Sequence, residues 1–194
     1  MAGPNKQFDQ DEALTKAMHA FWKRGYEATS MQDLVSIMEI NRASMYQTYG
    51  NKQTLFLASI DCYIKKILEQ ITQSLDLPGS PLENLKSLFK HVIGQSLQSK
   101  MHGCFIANTA IELGPHDPQI AEKLRAVWHQ FETTFMTLIQ RAIDNQELPP
   151  DASAAQLALL LNINFQGLII KTKVDTPKEE LFSSIETLFE LIQK

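Results

Sequence analysis

Two short amphipathic helices joined by a tight turn are predicted between residues 30 and 50, and no other feature of the 194-residue chain constrains its fold as strongly. Ser30 and Asp33 have the spacing of a capping box at the start of the first helix. The apolar face of that helix is formed at helical spacing by Leu34, Ile37 and Met38. Asn41 is a favourable N-cap for the second helix, and Gly50 is a favourable stop.

The second of these helices carries side chains that suit a groove of DNA. Its polar residues are Arg42, Ser44, Tyr46, Gln47 and Thr48. The N-terminal residues of a helix in the major groove face base edges, and hydroxyl and amide groups reach phosphate oxygens. We expect Arg42 to read a base, because a bidentate contact between Arg and guanine is the commonest specific contact. Ser44 and Gln47 are weaker candidates, and contact with phosphate alone is the alternative for Arg42.

Two segments at a matching separation resemble the N-terminal DNA-binding domain of the TetR family of one-component repressors. The run from Ala43 to Phe56, ASMYQTYGNKQTLF, is similar to the family's pattern. That pattern begins with a small residue, Ser or Thr, an apolar residue, Tyr, two variable residues and an aromatic residue. After a spacer it continues with Lys, Leu and a second aromatic residue. The run from Phe21 to Ser30, FWKRGYEATS, resembles the end of the family's first helix. The resemblance covers about residues 8–56; beyond them it lies in size, helical content and the Gly103-Cys104-Phe105 tripeptide.

The resemblance implies roles for individual residues around the second short helix. Tyr46 and Lys52 are expected to contact phosphate. Backbone N–H groups of Thr29 and Ser30 would add phosphate contacts at a helix N-terminus, with helix capping alone as the alternative. Met45, Tyr49 and Phe56 are expected in the core. The complete set of predicted DNA-binding residues is Thr29, Ser30, Arg42, Ala43, Ser44, Tyr46, Gln47, Thr48 and Lys52.

The net charge of −4 is unfavourable for a DNA-binding protein until it is divided along the chain. Residues 1–56 hold six basic and six acidic side chains, whereas the rest of the chain holds 12 basic and 16 acidic ones. The acidic excess therefore belongs to the C-terminal part. Because the positive charge around the second short helix is modest, we expect few phosphate contacts per subunit and a shallow salt dependence.

Helical periodicity dominates the chain, and no segment has the alternation of a strand. We predict an all-α fold of about nine helices, with a three-helix DNA-binding domain over residues 1–52 and a larger ligand-binding and dimerisation domain over residues 53–194. Helix one is predicted from Asp9 to a stop at Gly25, and a long fourth helix from Gln53 to Leu75. Later boundaries are marked by the breakers Leu77–Pro81, Gly114-Pro115, Asp117-Pro118, Pro149-Pro150 and Thr176-Pro177.

Neither a membrane span nor a metal site is expected from the sequence. No apolar run approaches the ~20 residues that a membrane-spanning helix needs, and the first residues lack the apolar core of a signal peptide. We therefore expect a cytoplasmic protein with no membrane partner. Cys62 and Cys104 are too few and too far apart for a disulfide framework. His102, His116 and His129 do not have the i, i+4 spacing of metal ligands, so no cofactor is expected.

Polar residues interrupt the apolar segments of the C-terminal part, as Asn108 and Gln166 do. Buried polar groups need partners, and a ligand in a mostly apolar cavity would supply them. Ordinary core packing and a subunit interface are the alternatives. The resemblance implies a pocket for a small-molecule inducer, whose identity the sequence leaves open. We assign this pocket to Cys104, Phe105, Asn108, Trp128, Phe131, Phe165 and Gln166.

Cys104 also allows a second interpretation, as a thiol that senses oxidants or electrophiles. It lies near Lys100 and His102 at a predicted helix N-terminus, and both features lower the pKa of a thiol. It equally heads an apolar run, and cysteine is often a small buried hydrophobe. Both interpretations stay open at this point.

The last two helices carry wide apolar faces that a monomer of this size would leave uncovered. Pairing with a second copy as a four-helix bundle would cover them. A two-fold dimer would also place two recognition helices about 34–36 Å apart, in successive major grooves of a pseudo-palindrome. The predicted dimer residues are Leu157, Leu161, Leu168, Leu181, Ile185 and Leu188.

These observations predict a homodimeric DNA-binding transcriptional regulator rather than an enzyme. The resemblance implies a repressor that leaves a pseudo-palindromic operator in double-stranded DNA when an inducer binds, by a two-state linkage. The turn from Glu112 to Asp117 collects polar side chains, but the chain has no nucleophile elbow or phosphate loop, so we interpret the turn as a capped loop. Two alternatives stay open: a thiol-sensing regulator acting through Cys104, and a helical small-molecule-binding protein or enzyme without a DNA role.

Overall fold

A computed structural model describes residues 8–75, 77–98, 103–174 and 176–194, and within these ranges the protein is all-α. The predicted fold class is confirmed. The helices are α1 (Gln10–Arg24), α2 (Met31–Met38), α3 (Arg42–Tyr49), α4 (Lys52–Leu75), α5 (Pro81–Gln98), α6 (Phe105–Glu112), α7 (Pro118–Asp144), α8 (Ala154–Lys171) and α9 (Lys178–Ile192). A short 3-10 helix, Thr172–Val174, follows α8.

Local capping signals place the N-terminal helices where the sequence predicts them. The Asp9 carboxylate accepts hydrogen bonds from the backbone N–H groups of Asp11 and Glu12, which starts α1. Gly25, at φ 86°, ends it in a conformation that favours glycine. The Asn41 side chain accepts from Ser44 N at 2.8 Å and starts α3.

The long helix α4 connects the N-terminal helices to the rest of the molecule. One stripe of α4 is apolar: Phe56, Ile60 and Tyr63 are buried, and α4 packs on α1. Further along, α4 packs against α5 and α7. One rigid helix therefore forms part of both the N-terminal and the C-terminal packing units.

The C-terminal helices enclose an aromatic core. Phe89 of α5 lies 5.7 Å from Phe135 of α7, 4.6 Å from Phe165 of α8 and 5.4 Å from Phe189 of α9 (ring centroids). Aromatic pairs at these separations stabilise a core beyond the area that they bury. Helices α5, α7, α8 and α9 are therefore joined at one aromatic cluster.

Four of the six predicted dimer residues lie inside the protomer, and their assignment to a subunit interface was wrong. They are Leu161, Leu168, Leu181 and Ile185, all at most 8% exposed. The other two, Leu157 and Leu188, are half-buried. Because α8 is apolar on most of its circumference, the sequence alone does not distinguish its core face from its outer face.

The expectation that no segment is long and apolar enough to span a membrane also needs correction. The 21-residue segment Ala154–Val174 passes that test by length and composition. One face of this segment packs along α7, and its Asn162 amide donates to Glu132 of that helix at 3.1 Å. Core helices of globular proteins have the same composition, and the packing on α7 favours that interpretation.

Candidate nucleic-acid interface and adjoining cavity

The helix α3 presents one polar face outward. Arg42, Ala43, Gln47 and Thr48 are exposed, and the Tyr46 ring is 41% exposed. On the opposite face Met45 and Tyr49 are buried, as expected for core residues. The Tyr49 hydroxyl donates to the backbone carbonyl of Gln10 at 3.0 Å, which fixes α3 against the start of α1.

Arg42 and Tyr46 form a pair on this face. They are one helical turn apart, and the Arg42 guanidinium lies 5.6 Å from the centroid of the Tyr46 ring. A cation–π contact of this kind orients the guanidinium without neutralising it. Arg42 therefore keeps its charge and its hydrogen-bond donors at the N-terminal end of α3.

Lys52, the first residue of α4, lies beside the loop between α1 and α2. Its ammonium is 4.2 Å from the centroid of the Tyr26 ring. The side chain is half-buried, so its stem is held while the charge stays near the surface. Tyr26 thus restricts the position of the Lys52 ammonium, for which the resemblance implies a phosphate contact.

The structure contradicts the assignment of Thr29 and Ser44 to DNA contacts. Thr29 is 0% exposed; its hydroxyl donates to Gly25 O at 2.7 Å, and its N–H donates to Tyr26 O. Ser44 is 8% exposed and lies on the inner side of α3. The hydroxyl and N–H of Thr29 are thus both bonded inside the protein, which composition and spacing did not reveal.

Ser30 caps α2. Capping was the alternative to the predicted phosphate contact. The Ser30 N–H donates to Asp33 Oδ2 at 3.0 Å, and its hydroxyl oxygen accepts from Asp33 N at 3.1 Å, which completes the predicted capping box. The hydrogen bonds from Ser30, assisted by the charge of Arg24, lower the pKa of the Asp33 carboxyl. The Ser30 N–H is therefore occupied within the protein.

A cavity of about 390 Å³ opens between α1, α4, α5 and α8, next to the head of α6. An inner recess of about 30 Å³ shares several wall residues with it and reaches Phe131, Phe165 and Gln166. Among the residues that the structure describes, no charged side chain lines either space. The buried Oε1 of Gln166 has no hydrogen-bond partner within the described residues.

Four of the seven predicted pocket residues line the inner recess: Cys104, Phe131, Phe165 and Gln166. The other three lie elsewhere. Phe105 is buried against Phe56 and Tyr63, Asn108 accepts a hydrogen bond from Lys173, and Trp128 belongs to neither space.

The polar residues that α4 and α5 contribute to the cavity were not predicted from the sequence. Tyr63 and Gln70 are seven residues apart on one face of α4, and Gln95 and Ser96 come from α5. The i, i+7 spacing within the apolar stripe of α4 was the available signal. The cavity therefore has a wall on the helix that also packs against the N-terminal domain.

Cys104 lies in a setting that opposes the proposed thiol chemistry. It is 5% exposed, and Tyr63 Oη donates to its Sγ at 3.4 Å. Burial raises the pKa of the Cys104 thiol, although the hydrogen bonds that it accepts offset part of this effect. The expectation of a lowered pKa was wrong for the described surroundings; Lys100 and His102, on which it also rested, lie outside the described residues.

Two family models cover most of the chain. Residues 13–59 match the model for bacterial regulatory proteins of the tetR family, and residues 81–187 match that for tetracyclin repressor-like C-terminal domains. A Bacillus subtilis protein named as an uncharacterised HTH-type transcriptional regulator, YezE, is 34% identical over 95% of this chain and 96% of its own length. The HTH-type transcriptional repressor ComR of Escherichia coli is 31% identical over 97% of this chain and 91% of its own.

Solved structures have the same fold. A cysteine mutant of the TetR family regulator CifR, complexed with 26-bp double-strand operator DNA, aligns with a TM-score of 0.86 at 26% identity, over 96% of this chain and 98% of that one. A TetR transcriptional regulator from Chloroflexus aurantiacus aligns with a TM-score of 0.82 at 25% identity, over 94% and 92% of the two chains.

We expect Cys104 to resist alkylation in the folded protein. Its raised pKa leaves little thiolate at neutral pH, and only 5% of the residue is exposed. With iodoacetamide and peptide mass mapping, the half-exposed Cys62 should be labelled first. Both should react alike in urea, which serves as the control. Labelling of Cys104 as fast as Cys62 in the native protein would restore the thiol-sensing interpretation.

Proposed function

The chain belongs to the TetR family of DNA-binding transcriptional regulators, which are not enzymes, and we propose that it is a homodimeric repressor released from its operator by a small uncharged ligand. A DNA partner implies action in the cytoplasm. DNA recognition by α3 is supported above all by the exposed pair of Arg42 and Tyr46 at the N-terminal end of this helix. That end of a recognition helix faces base edges.

The DNA-contacting surface that we propose is smaller than the set taken from the sequence. Arg42 and Gln47 read base edges, since Arg pairs with guanine and Gln with adenine in the major groove. Tyr46, Thr48 and Lys52 contact phosphate. Ala43, which is exposed between the polar residues, allows close approach of the helix to the groove.

A two-fold dimer is supported by an apolar stripe on the outer face of α8. The stripe consists of the exposed residues Leu159, Leu160, Ile163 and Ile170, between 43% and 61% exposed. Gly167 lies within it, and none of the described residues comes within 4 Å of the position that a Cβ would take there. An exposed apolar stripe of this kind marks an interaction surface, and the small residue lets a second helix approach closely.

The cavity supports an uncharged, largely apolar inducer. Taking a formal charge out of water is costly without a partner, and the described wall offers no opposite charge. Gln166 Oε1, to which no described residue donates a hydrogen bond, favours a ligand with one hydroxyl or N–H donor. An occupant would touch Tyr63, Ile67 and Gln70 of α4, so a shift of this helix would move the N-terminal domain.

We expect Arg42→Ala to lower operator affinity by about 1–3 kcal/mol and to relax base preference at the positions that α3 faces. The measurement is gel-shift titration on duplexes that the wild-type protein enriches from a random pool. Arg125→Ala is the matched control, because it removes the same charge from an exposed position on α7. Equal affinity of the two variants for the selected duplexes would contradict base reading by Arg42.

We expect Ile163→Glu to convert the dimer to monomers, because each subunit would place a carboxylate in the proposed apolar interface. Sedimentation velocity measures the change, and circular dichroism checks that the helices persist. Leu77→Glu, at an exposed site far along the chain from α8, serves as the control. A variant that stays dimeric would show that the α8 stripe does not form the interface.

We expect Val92→Trp to block the cavity, because the indole would occupy space that Val92 now borders in both the cavity and its recess. N-phenyl-1-naphthylamine, an uncharged apolar amine with one N–H donor, is a suitable fluorescent probe. The variant should bind it at least about tenfold more weakly than the control Leu77→Trp, a difference of about 1.4 kcal/mol. Equal binding of the probe by both variants would place the ligand site elsewhere.

A further inference from the structure

The carboxylate of Glu112 joins the last residue of α6 to the loop that follows α1. Its Oε2 accepts from the N–H of Tyr26 at 3.0 Å, and its Oε1 accepts from the N–H of Glu27 at 2.9 Å. These residues are more than 80 positions apart in the chain. Two backbone donors therefore converge on one carboxylate, an arrangement that gives strong, directional hydrogen bonds.

Gly25 leaves the space that this carboxylate occupies. A Cβ at Gly25 would lie 2.9 Å from Glu112 Oε2, closer than real Cβ contacts. The positive φ of Gly25 turns the chain so that the next two N–H groups point at α6. The loop and the carboxylate are thus complementary in shape as well as in hydrogen bonding.

The other end of α6 is also attached to α1. The Trp22 indole N–H donates to the carbonyl of Gly103 at 3.1 Å, just before Cys104 caps α6. Trp22, Gly103 and Cys104 all line the cavity. One short helix is therefore attached to the DNA-binding domain at both ends and borders the ligand cavity at its first end.

The attachment continues to the DNA-binding surface through Tyr26. Glu112 holds the backbone of Tyr26, and the Tyr26 ring lies under the ammonium of Lys52 at 4.2 Å. Phe56 contacts the same ring edge-on at 4.8 Å. A displacement of α6 would therefore move the ring against which Lys52 rests.

We propose that Glu112 is a positioning residue for DNA binding: it clamps the Tyr26–Glu27 loop to α6, and through Tyr26 it sets the position of Lys52. The proposal rests on the proposed function, in that Lys52 contacts operator phosphate. Both hydrogen bonds of the clamp are formed in the structure. A ligand that shifts the head of α6 would open the clamp and lower DNA affinity, in accordance with reciprocal linkage.

The test compares Glu112→Gln with Glu122→Gln in the full-length protein. Gln is nearly isosteric, but it keeps one acceptor and turns its NH₂ group toward an N–H donor, so one hydrogen bond is replaced by a repulsive contact. Glu122 is exposed on α7, and its substitution makes the same change in charge. Hydrogen exchange should show loss of protection at the amides of Tyr26 and Glu27 in the first variant alone.

Operator binding distinguishes positioning from a purely structural role. We expect Glu112→Gln to bind the selected duplex about tenfold more weakly than Glu122→Gln, or about 1.4 kcal/mol. In a Lys52→Ala background the same substitution should change affinity less than about threefold, because contacting or linked residues are not additive.

Three outcomes would overturn the proposal: unchanged protection at Tyr26 and Glu27, operator affinity equal to that of Glu122→Gln, or a full tenfold loss that persists without Lys52. Thermal unfolding of each variant identifies any general loss of stability. Failure of the proposed function would be visible separately, as a wild-type protein that enriches no duplex. Hydrogen exchange would then still decide whether Glu112 holds the loop.

Discussion

The aromatic contact between α1, α4 and α6 holds the two domains in one arrangement, and the position of the DNA-binding surface depends on it. Phe56 of α4 lies edge-on to Phe21 at 5.0 Å and to Phe105 at 5.7 Å (ring centroids). Trp22 and Tyr63 form a second edge-on pair at 5.0 Å. Because a protein interior is packed as densely as a crystal of small molecules, a movement of one of these helices displaces the other two.

In the function that we propose, ligand binding and DNA binding would compete through this contact. The cavity has Tyr63 in its wall, and the same side chain packs on Trp22 of α1. A ligand can shift the equilibrium only by its difference in affinity for the two arrangements. In the proposed function, the residues of α4 that line the cavity would contact the ligand differently when α4 moves.

Helix boundaries were predictable because the signals that set them are local, as with Asp9, Asn41 and the capping box at Ser30. The side of a helix that faces the core was less predictable. Leu161 and Ile163 are both apolar and two residues apart, yet one is buried and the other is 61% exposed. Only the packing of α8 on α7 separates them. The pocket likewise depends on which side chains of α4 and α5 converge, and this is a long-range property.

The central claim is that two copies of α3, related by a two-fold axis, read one operator. Hydroxyl-radical footprinting of the wild-type protein on its selected duplex tests this most directly. We expect two protected patches on one side of the duplex, with half-site centres about one helical turn apart, roughly 34–36 Å. A single protected half-site, or protection that does not depend on the selected sequence, would contradict it.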